Sequence, residues 1–252
     1  MPFVTLAFAL CCSVLLWRVS LRLKDASIAD IFWGPGIAAM VDIAALMAPG
    51  AGNRAFLGLV LVNAWALRLG LHIGLRHRGE DRRYAAMRQK FGRHWWWWSF
   101  FQVFLLQVIL IWVLPAPLQA AVQPGEPLGW LDGIGASLAA GGLLFEAIAD
   151  AQLARFRRDP GNRGQVLERG LWGLSRHPNY FGEAVLWWGF FLLGFSASAN
   201  WWLLLSPLAM TLLLLKVSGV TLMEERMEER RPDYAAYQRE VSAFIPWPRQ
   251  RG

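Results

Sequence analysis

The chain has 252 residues, of which 56% are hydrophobic and 17% are charged, and it contains 15 tryptophans. This composition excludes an ordinary soluble globular domain, which carries a larger share of charged residues. The formal net charge is +7, but no nucleic-acid-binding motif accompanies it, so no nucleic-acid partner is expected. The hydrophobic residues gather in long runs, as is typical of a membrane protein.

Seven hydrophobic runs follow one another, and most approach the roughly 20 residues that a helix needs to cross a bilayer. The predicted spans are Phe3–Val19, Ile28–Met47, Ala55–Leu75, Phe100–Val122, Leu128–Leu153, Phe181–Phe195 and Trp201–Met223. The first run lacks a basic segment before it and a small-residue cleavage site after it, so we expect a retained helix and not a signal peptide. The adjacent Cys11 and Cys12 fit neither a metal site nor a disulfide framework.

Basic residues lie on alternate sides of these spans. They follow spans one, three and five and fill the C-terminal tail, whereas the opposite loops, 48–54, 123–127 and 196–200, contain only Arg54. The positive-inside rule therefore places the N-terminus outside and the C-terminus in the cytoplasm. The sequence predicts an all-α, polytopic fold with seven transmembrane helices, forming a single membrane domain over residues 1–252. The expected pocket is formed by the cytoplasmic loops 76–99 and 154–180 and the tail 224–252.

Three basic residues of the third span, Arg68, His72 and Arg76, are spaced four apart and share one helical face over roughly 12 Å. The polar stretch continues to Arg83 and Tyr84. Arg68 lies about two turns inside the span, where an arginine usually faces a partner or a water-filled cavity. The alternatives are snorkelling for Arg76 and a structural contact for His72. We favour a ligand site for Arg68 and leave His72 open.

The segment before the sixth span is the most polar stretch near a membrane helix. Its polar side chains are Arg176, His177, Asn179, Tyr180 and Glu183. Pro178 disfavours helix at the residue before it, so we expect a turn that leads into the first turn of the span. A helix N-terminus favours an anion, and arginine is suited to bidentate phosphate contacts. The pattern indicates a polar ligand.

Three acidic residues elsewhere are further candidates. Asp150, near the end of the fifth span, suits either ribose hydroxyls or an ion pair, and Arg157 follows it. Glu224 either binds the same ligand or belongs to a solvated charged face. Asp30 lies in the second span, where desolvation favours a neutral carboxyl that donates a hydrogen bond to a carbonyl. The alternative for Asp30 is a helix N-cap.

On these motifs the chain resembles the steroid 5-alpha-reductase family, specifically its bacterial branch, long labelled a domain of unknown function. The resemblance covers nearly the whole chain and implies seven helices, NADPH in a cytoplasm-facing cavity and a lipophilic enone that enters from the bilayer. The positions that it matches to cofactor contacts are Arg68, His72, Arg76, Arg83, Tyr84, Asp150, Arg157, Asn179 and Glu183. Trp65 takes the place of a substrate-contacting tyrosine, and the family's glutamine–glutamate pair is absent near Asp30.

Membrane methyltransferases of the isoprenylcysteine and phospholipid type also share the Arg-His-Pro-x-Tyr core and the paired tail glutamates. They use S-adenosylmethionine, which carries no phosphate. The cations between Arg68 and Tyr84 are better suited to a dinucleotide with a pyrophosphate and a 2′-phosphate. A non-enzymatic sterol- or lipid-binding protein is the third interpretation, and it gives no reason for this cation stripe.

The sequence therefore predicts an NADPH-dependent reductase of a 3-oxo-Δ4 steroid or a similar enone. Asp30 and Trp65 are the expected catalytic residues. Arg176, His177, Tyr180 and Glu224 complete the expected cofactor contacts. We expect no metal and no obligate protein partner beyond membrane lipids. The expected location is a bacterial inner membrane, with the active site open to the cytoplasm.

Overall fold

The computed structural model describes residues 2–50, 52–125, 127–217, 220, 224 and 234–249. These residues form helices and turns without any strand, which confirms the predicted all-α class. Their α-helices are α1 (Pro2–Leu23), α2 (Ile28–Leu46), α3 (Asn53–Arg76), α4 (Arg82–Phe91), α5 (Trp95–Ser99), α6 (Leu106–Val113), α7 (Ala116–Ala121), α8 (Trp130–Arg158), α9 (Pro178–Ser198), α10 (Leu205–Leu212) and α11 (Tyr234–Glu240).

Within the described residues, six helical stretches are long and apolar enough to cross a membrane by length and composition. They are Phe3–Leu23, Ile28–Leu46, Asn53–Arg76, Arg82–Ala121, Trp130–Arg158 and Pro178–Ser198. They overlap the first six predicted spans and fit a multi-pass membrane protein. A shorter apolar stretch, Trp201–Lys216, begins where the seventh predicted span begins. Residues 218, 219 and 221–223 of that span lie outside the described residues, so the count of seven and the orientation stay predictions.

The fourth and sixth stretches begin before their predicted hydrophobic runs. Helix α9 starts at Pro178, because a proline at the first helical position gives up no intrahelical hydrogen bond. The polar motif therefore enters the first turn of α9, as expected. The fourth stretch begins at Arg82 and is interrupted at Pro115, whose missing N–H breaks the helix before α7.

The described chain packs as two compact units. Unit 1 comprises Met1–Asp132 and Leu193–Trp201, and unit 2 comprises Gly133–Leu192 and Trp202–Gly252. In unit 1, α2 and α3 approach closely, since a Cβ added at Gly34 would lie 3.1 Å from the Ala66 carbonyl oxygen.

One buried ion pair lies at the N-terminal ends of α3 and α8 in unit 1. Arg54 Nε is 2.7 Å from Asp132 Oδ1, and the two side chains are 5% and 1% exposed. Asp132 Oδ2 also accepts hydrogen bonds from the Gly129 N–H and the Ser196 hydroxyl. These bonds satisfy both carboxylate oxygens, so the pair ties three helix ends together.

In unit 2, glycines bring α8 and α9 into backbone contact. A Cβ added at Gly142 would lie 2.5 Å from the Gly182 carbonyl oxygen, and one added at Gly189 would lie 2.5 Å from the Gly135 carbonyl oxygen. A side chain at either position would meet backbone atoms, so Gly142 and Gly189 permit this close packing.

Candidate active site

In unit 1, the Asp30 side chain is surrounded by hydrogen-bond donors. Arg83 Nη2 lies 3.0 Å from Oδ2, while the Tyr84 hydroxyl donates to Oδ1 at 2.8 Å. Gln107 Nε2 donates to the same oxygen at 3.1 Å. We call these four residues the Asp30 cluster. It joins α2, α4 and α6 through one carboxyl group.

The start of α4 positions the two α4 members of this cluster. Asp81 caps the helix by accepting the Arg83 N–H at 2.8 Å, and it also accepts from Arg83 Nε at 3.0 Å. The Tyr84 ring is buried among Ala29, Trp95 and other core residues. Two carboxylates thus bind the Arg83 guanidinium, Asp81 at Nε and Asp30 at Nη2.

The loop between α1 and α2 fixes the start of α4 from the other side. The Asp81 N–H donates to Ser27 Oγ at 2.6 Å, and the Ala26 N–H donates to Glu80 Oε1 at 3.0 Å. Arg88 holds Glu80 in place through two hydrogen bonds of 2.7 and 2.9 Å. These contacts keep the short helix α4 against the start of α2.

This geometry favours a role for Asp30 other than the one expected from the sequence. A guanidinium has no acceptor, so the carboxyl oxygen that faces Arg83 must accept. The Tyr84 hydroxyl and the Gln107 amide donate to the second oxygen. Asp30 is therefore arranged as an acceptor, whereas the sequence suggested a neutral donor. It is also the third residue of α2 and not its N-cap.

The basic stripe predicted for the third span lies on one continuous helix, because α3 extends through Arg76. Arg76 is exposed, and its Nη1 lies 2.7 Å from His72 Nε2. Arg68 is half-buried one turn before His72. Trp65 is completely buried on the same helix, so its substrate contact stays a prediction.

In unit 2, Arg176 does not present a free guanidinium to a phosphate. Its Nε and Nη2 bind the two oxygens of Glu224 at 2.7 and 3.0 Å. Its Nη1 donates to the carbonyls of Gln238 and Val241, both at 2.7 Å. The residue expected to bind the cofactor thus attaches the tail to the start of α9.

Glu224 is a strongly acidic carboxyl in this arrangement. Burial opposes its charge, but hydrogen bonds and positive charge from His177 and Arg176 outweigh burial and lower the pKa of Glu224 to about 2. The His177 ring nitrogen Nε2 lies 3.3 Å from Glu224 Oε1, and the ring stacks on Tyr180 at 5.6 Å. We call Arg176, His177 and Glu224 the tail anchor.

The other expected contacts in unit 2 lie on α8 and α9. Asn179 Nδ2 donates to Asp150 Oδ1 at 3.2 Å, and Asp150 is buried. Glu183 is also buried and accepts the Trp187 indole N–H at 2.9 Å. Arg157 is exposed on the last turns of α8. The structure thus brings together Asp150 and Asn179, two residues that sequence reasoning had placed in separate motifs.

Sequence reasoning missed two groups of hydrogen-bonding partners in these clusters. Gln107 is a single amide within a predicted span, and its polarity in a hydrophobic run was the signal that would have found it. The tail carbonyls that receive Arg176 gave no such signal, because every residue has a backbone carbonyl. The end of the tail contacts the residues before α9, since Ser175 Oγ donates to the Phe244 carbonyl at 2.8 Å.

Comparisons with known proteins identify relatives without an assigned activity. The family model described as "Protein of unknown function (DUF1295)" matches residues 16–241. The chain is 28% identical over 281 residues to "Uncharacterized protein C594.04c" of Schizosaccharomyces pombe (strain 972 / ATCC 24843), covering 97% of this chain and 80% of that protein. No solved structure matches the chain.

Proposed function

The chain belongs to the DUF1295 family, which is related to steroid 5-alpha-reductase-like proteins, and on that premise we propose that it is an NADPH-dependent enone reductase. The substrate class is a 3-oxo-Δ4 steroid or a similar lipophilic enone that enters from the bilayer. NADPH supplies hydride to the carbon β to the ketone. The observation that carries the proposal is the 2.8 Å contact between the Tyr84 hydroxyl and Asp30.

Tyr84 is the residue to which we assign polarisation of the substrate ketone. Its hydroxyl can turn from Asp30 to the ketone oxygen, because Arg83 and Gln107 continue to satisfy the Asp30 carboxyl. Negative charge grows on that oxygen as the double bond is reduced, and a positioned hydrogen-bond donor stabilises it. The α carbon then takes its proton from water. Asp30 positions the Tyr84 hydroxyl before the substrate binds, and the hydroxyl leaves Asp30 when it donates to the ketone.

The residues present fit a dinucleotide phosphate in part. The exposed Arg76 lies beside His72, on the same face of α3 as Arg68. Its guanidinium supplies the donors that a pyrophosphate or 2′-phosphate requires. Within unit 2, Asp150 and Asn179 by themselves offer an acceptor and an amide of the kind that bind hydroxyls or a carboxamide. Arg176 is removed from the phosphate role, because its donors are taken by Glu224 and tail carbonyls.

The tail anchor favours a second candidate, an S-adenosylmethionine-dependent methyltransferase. Such membrane enzymes share the Arg-His-Pro core, and here Arg176 and His177 both bind the tail residue Glu224. An ionised carboxylate near a cofactor suits a sulfonium cation. The two candidates therefore differ in which cofactor the chain binds.

The deciding experiment uses the full chain in lipid nanodiscs. NADPH, NADH and S-adenosylmethionine are titrated separately, and turnover is measured with androst-4-ene-3,17-dione as a probe enone. We expect NADPH binding, loss of reduced nicotinamide absorbance and a product heavier by two hydrogen atoms. Tyr84→Phe should lower turnover at least about 10²-fold, the usual contribution of a positioned proton donor.

Tyr234→Phe is the matched control, because it removes a hydroxyl from a tyrosine outside both clusters and should retain turnover. Binding of S-adenosylmethionine without NADPH would favour the methyltransferase. Binding of neither cofactor, with no NADPH consumption on any enone tested, would leave the lipid-binding interpretation. Wild-type turnover in Tyr84→Phe would reject the assignment of Tyr84 while leaving the reductase itself standing.

A further inference from the structure

One polar pair lies on the outward surface of α2 and α3, inside the stretches long enough to span a membrane. Asn63 Nδ2 donates to Asp42 Oδ1 at 2.9 Å and to the Leu59 carbonyl at 3.0 Å. Asp42 is about 6 Å along α2 from its end at Leu46, and Asn63 is about 15 Å along α3 from its start. Asn63 is therefore near the middle of α3, whereas Asp42 lies little more than one turn from the end of α2.

The surroundings of this pair are apolar and exposed. Leu46 is 86% exposed, and on α3 the side chains of Phe56, Val60 and Leu67 are 70%, 49% and 64% exposed. Asn63 itself is exposed, and Asp42 is half-buried. A carboxyl and an amide that face hydrocarbon are costly, and such groups in membrane helices normally face another polar partner. The pair therefore calls for a further polar partner from outside α2 and α3.

The pair contains both a hydrogen-bond donor and an acceptor, so it is complementary to the same pair in a second copy of the chain. Asp42 contributes an acceptor, and Asn63 contributes donors. One Asn63 amide hydrogen is directed at the Leu59 carbonyl, which already accepts a backbone hydrogen bond within α3. That hydrogen can be redirected to a new acceptor without leaving the carbonyl unsatisfied. A two-fold axis beside the pair would bring the Asn63 donor of each copy to the Asp42 acceptor of the other.

We propose that this face of α2 and α3 is the interface of a homodimer. Each Asn63 donates to Asp42 of the second copy, and the apolar neighbours Val60 and Leu67 pack around these bonds. Amide and carboxyl hydrogen bonds across membrane helices are an established driving force for association. The proposal is independent of the reductase proposal, because no residue of either cluster takes part.

Cysteine cross-linking in nanodisc or proteoliposome membranes tests the geometry. Cys11 and Cys12 are first replaced by alanine, and a single cysteine is then placed at Val60 or Leu67, one turn on either side of Asn63. We expect oxidation to give a disulfide-linked dimer from both positions. Leu144→Cys is the matched control, because Leu144 is 62% exposed on α8 and should remain monomeric.

The second measurement is the dimer fraction of labelled full-length protein in proteoliposomes, counted by single-molecule photobleaching across a range of protein densities. Asn63→Leu and Asp42→Leu should each lower the dimerisation constant about 10-fold, which corresponds to the loss of one or two such hydrogen bonds. Val60→Leu, which keeps the polar pair, should weaken it much less.

The proposal is overturned if the wild type remains monomeric at all densities. It is also overturned if both leucine variants dimerise as the wild type does, since the polar pair then contributes nothing. Binding of a hydroxylated or amine-bearing lipid at Asp42 by a monomeric wild type would identify a lipid as the polar partner instead. Thermal unfolding of each variant in detergent separates loss of association from loss of fold.

Discussion

Arg176 grips both carboxylate oxygens of Glu224, with Nε 2.7 Å from Oε1 and Nη2 3.0 Å from Oε2. The third guanidinium nitrogen donates to the carbonyls of Gln238 and Val241. All four of these hydrogen bonds from Arg176 are donated to acceptors of the protein itself. The polar motif before α9 therefore has a structural function, attachment of the tail, besides any function in ligand binding.

Arg176→Ala should lower the free energy of unfolding by about 3 kcal/mol, because it removes the guanidinium that pairs with the Glu224 carboxylate and donates to two tail carbonyls. Thermal unfolding in detergent and protease sensitivity of the tail measure the effect. Arg249→Ala is the control: Arg249 pairs with Glu168 and Glu240 on the exposed surface and should change the midpoint little. Equal effects of the two variants would contradict the anchor.

Acidification should release the same anchor. The pKa of Glu224 is about 2 in the folded chain against an ordinary 4.5, so the unfolded chain binds more protons between these values. The stabilisation is therefore complete above about pH 4.5 and is lost as the pH falls towards 2. Unfolding midpoints measured across this range should fall, and the fall should be smaller in Glu224→Gln. An identical slope in that variant would assign the effect to other carboxyls.

Arg76→Gln tests the phosphate role of the α3 stripe. The proposed function predicts that it raises the Kd for NADPH about 10-fold, because one charge-assisted contact to a phosphate is lost. The effect should shrink at high salt. Arg176→Ala is the comparison, since its guanidinium is occupied by protein acceptors and it should alter stability more than affinity. Unchanged affinity in Arg76→Gln would remove α3 from the cofactor site.

Hydrophobic patterning predicted the helices because the length of an apolar run bounds a membrane span directly. The Asp30 cluster was harder to predict, since Arg83 and Tyr84 are 53 and 54 residues away from Asp30 along the chain. Their residue types suggested ligand contacts one by one. Only the tertiary structure shows that they contact each other.

Arg176 and Arg54 also show that the sequence does not identify the partner of a charged residue. The sequence pattern of Arg176 is equally suited to a phosphate and to a carboxylate, and the acceptor that reaches it decides between them. Arg54 was the single basic residue in the loops predicted to face outward, and its buried partner Asp132 lies 78 residues away. Charge counting finds such residues but does not identify their partners.

Arg54→Leu should destabilise the chain by about 3–5 kcal/mol, because it leaves the buried Asp132 carboxylate without its counter-ion. The double variant Arg54→Leu/Asp132→Leu should recover part of that loss, since no buried charge remains. Unfolding midpoints of the two single variants and the double variant form the thermodynamic cycle. Additive losses would show that the ion pair carries no coupling energy.

Gly142 and Gly141 are neighbours on α8 that allow a matched test of helix packing. A Cβ at Gly142 would meet the Gly182 carbonyl oxygen and the Leu186 nitrogen, both at 2.5 Å, whereas a Cβ at Gly141 meets nothing within 4 Å. Gly142→Ala should therefore cost about 1–3 kcal/mol, because backbone atoms cannot move aside as a flexible side chain can. Gly141→Ala should be neutral or stabilise the helix by up to about 1 kcal/mol. Unfolding midpoints of the two purified variants provide the comparison, and equal values would show that α8 and α9 do not pack this closely.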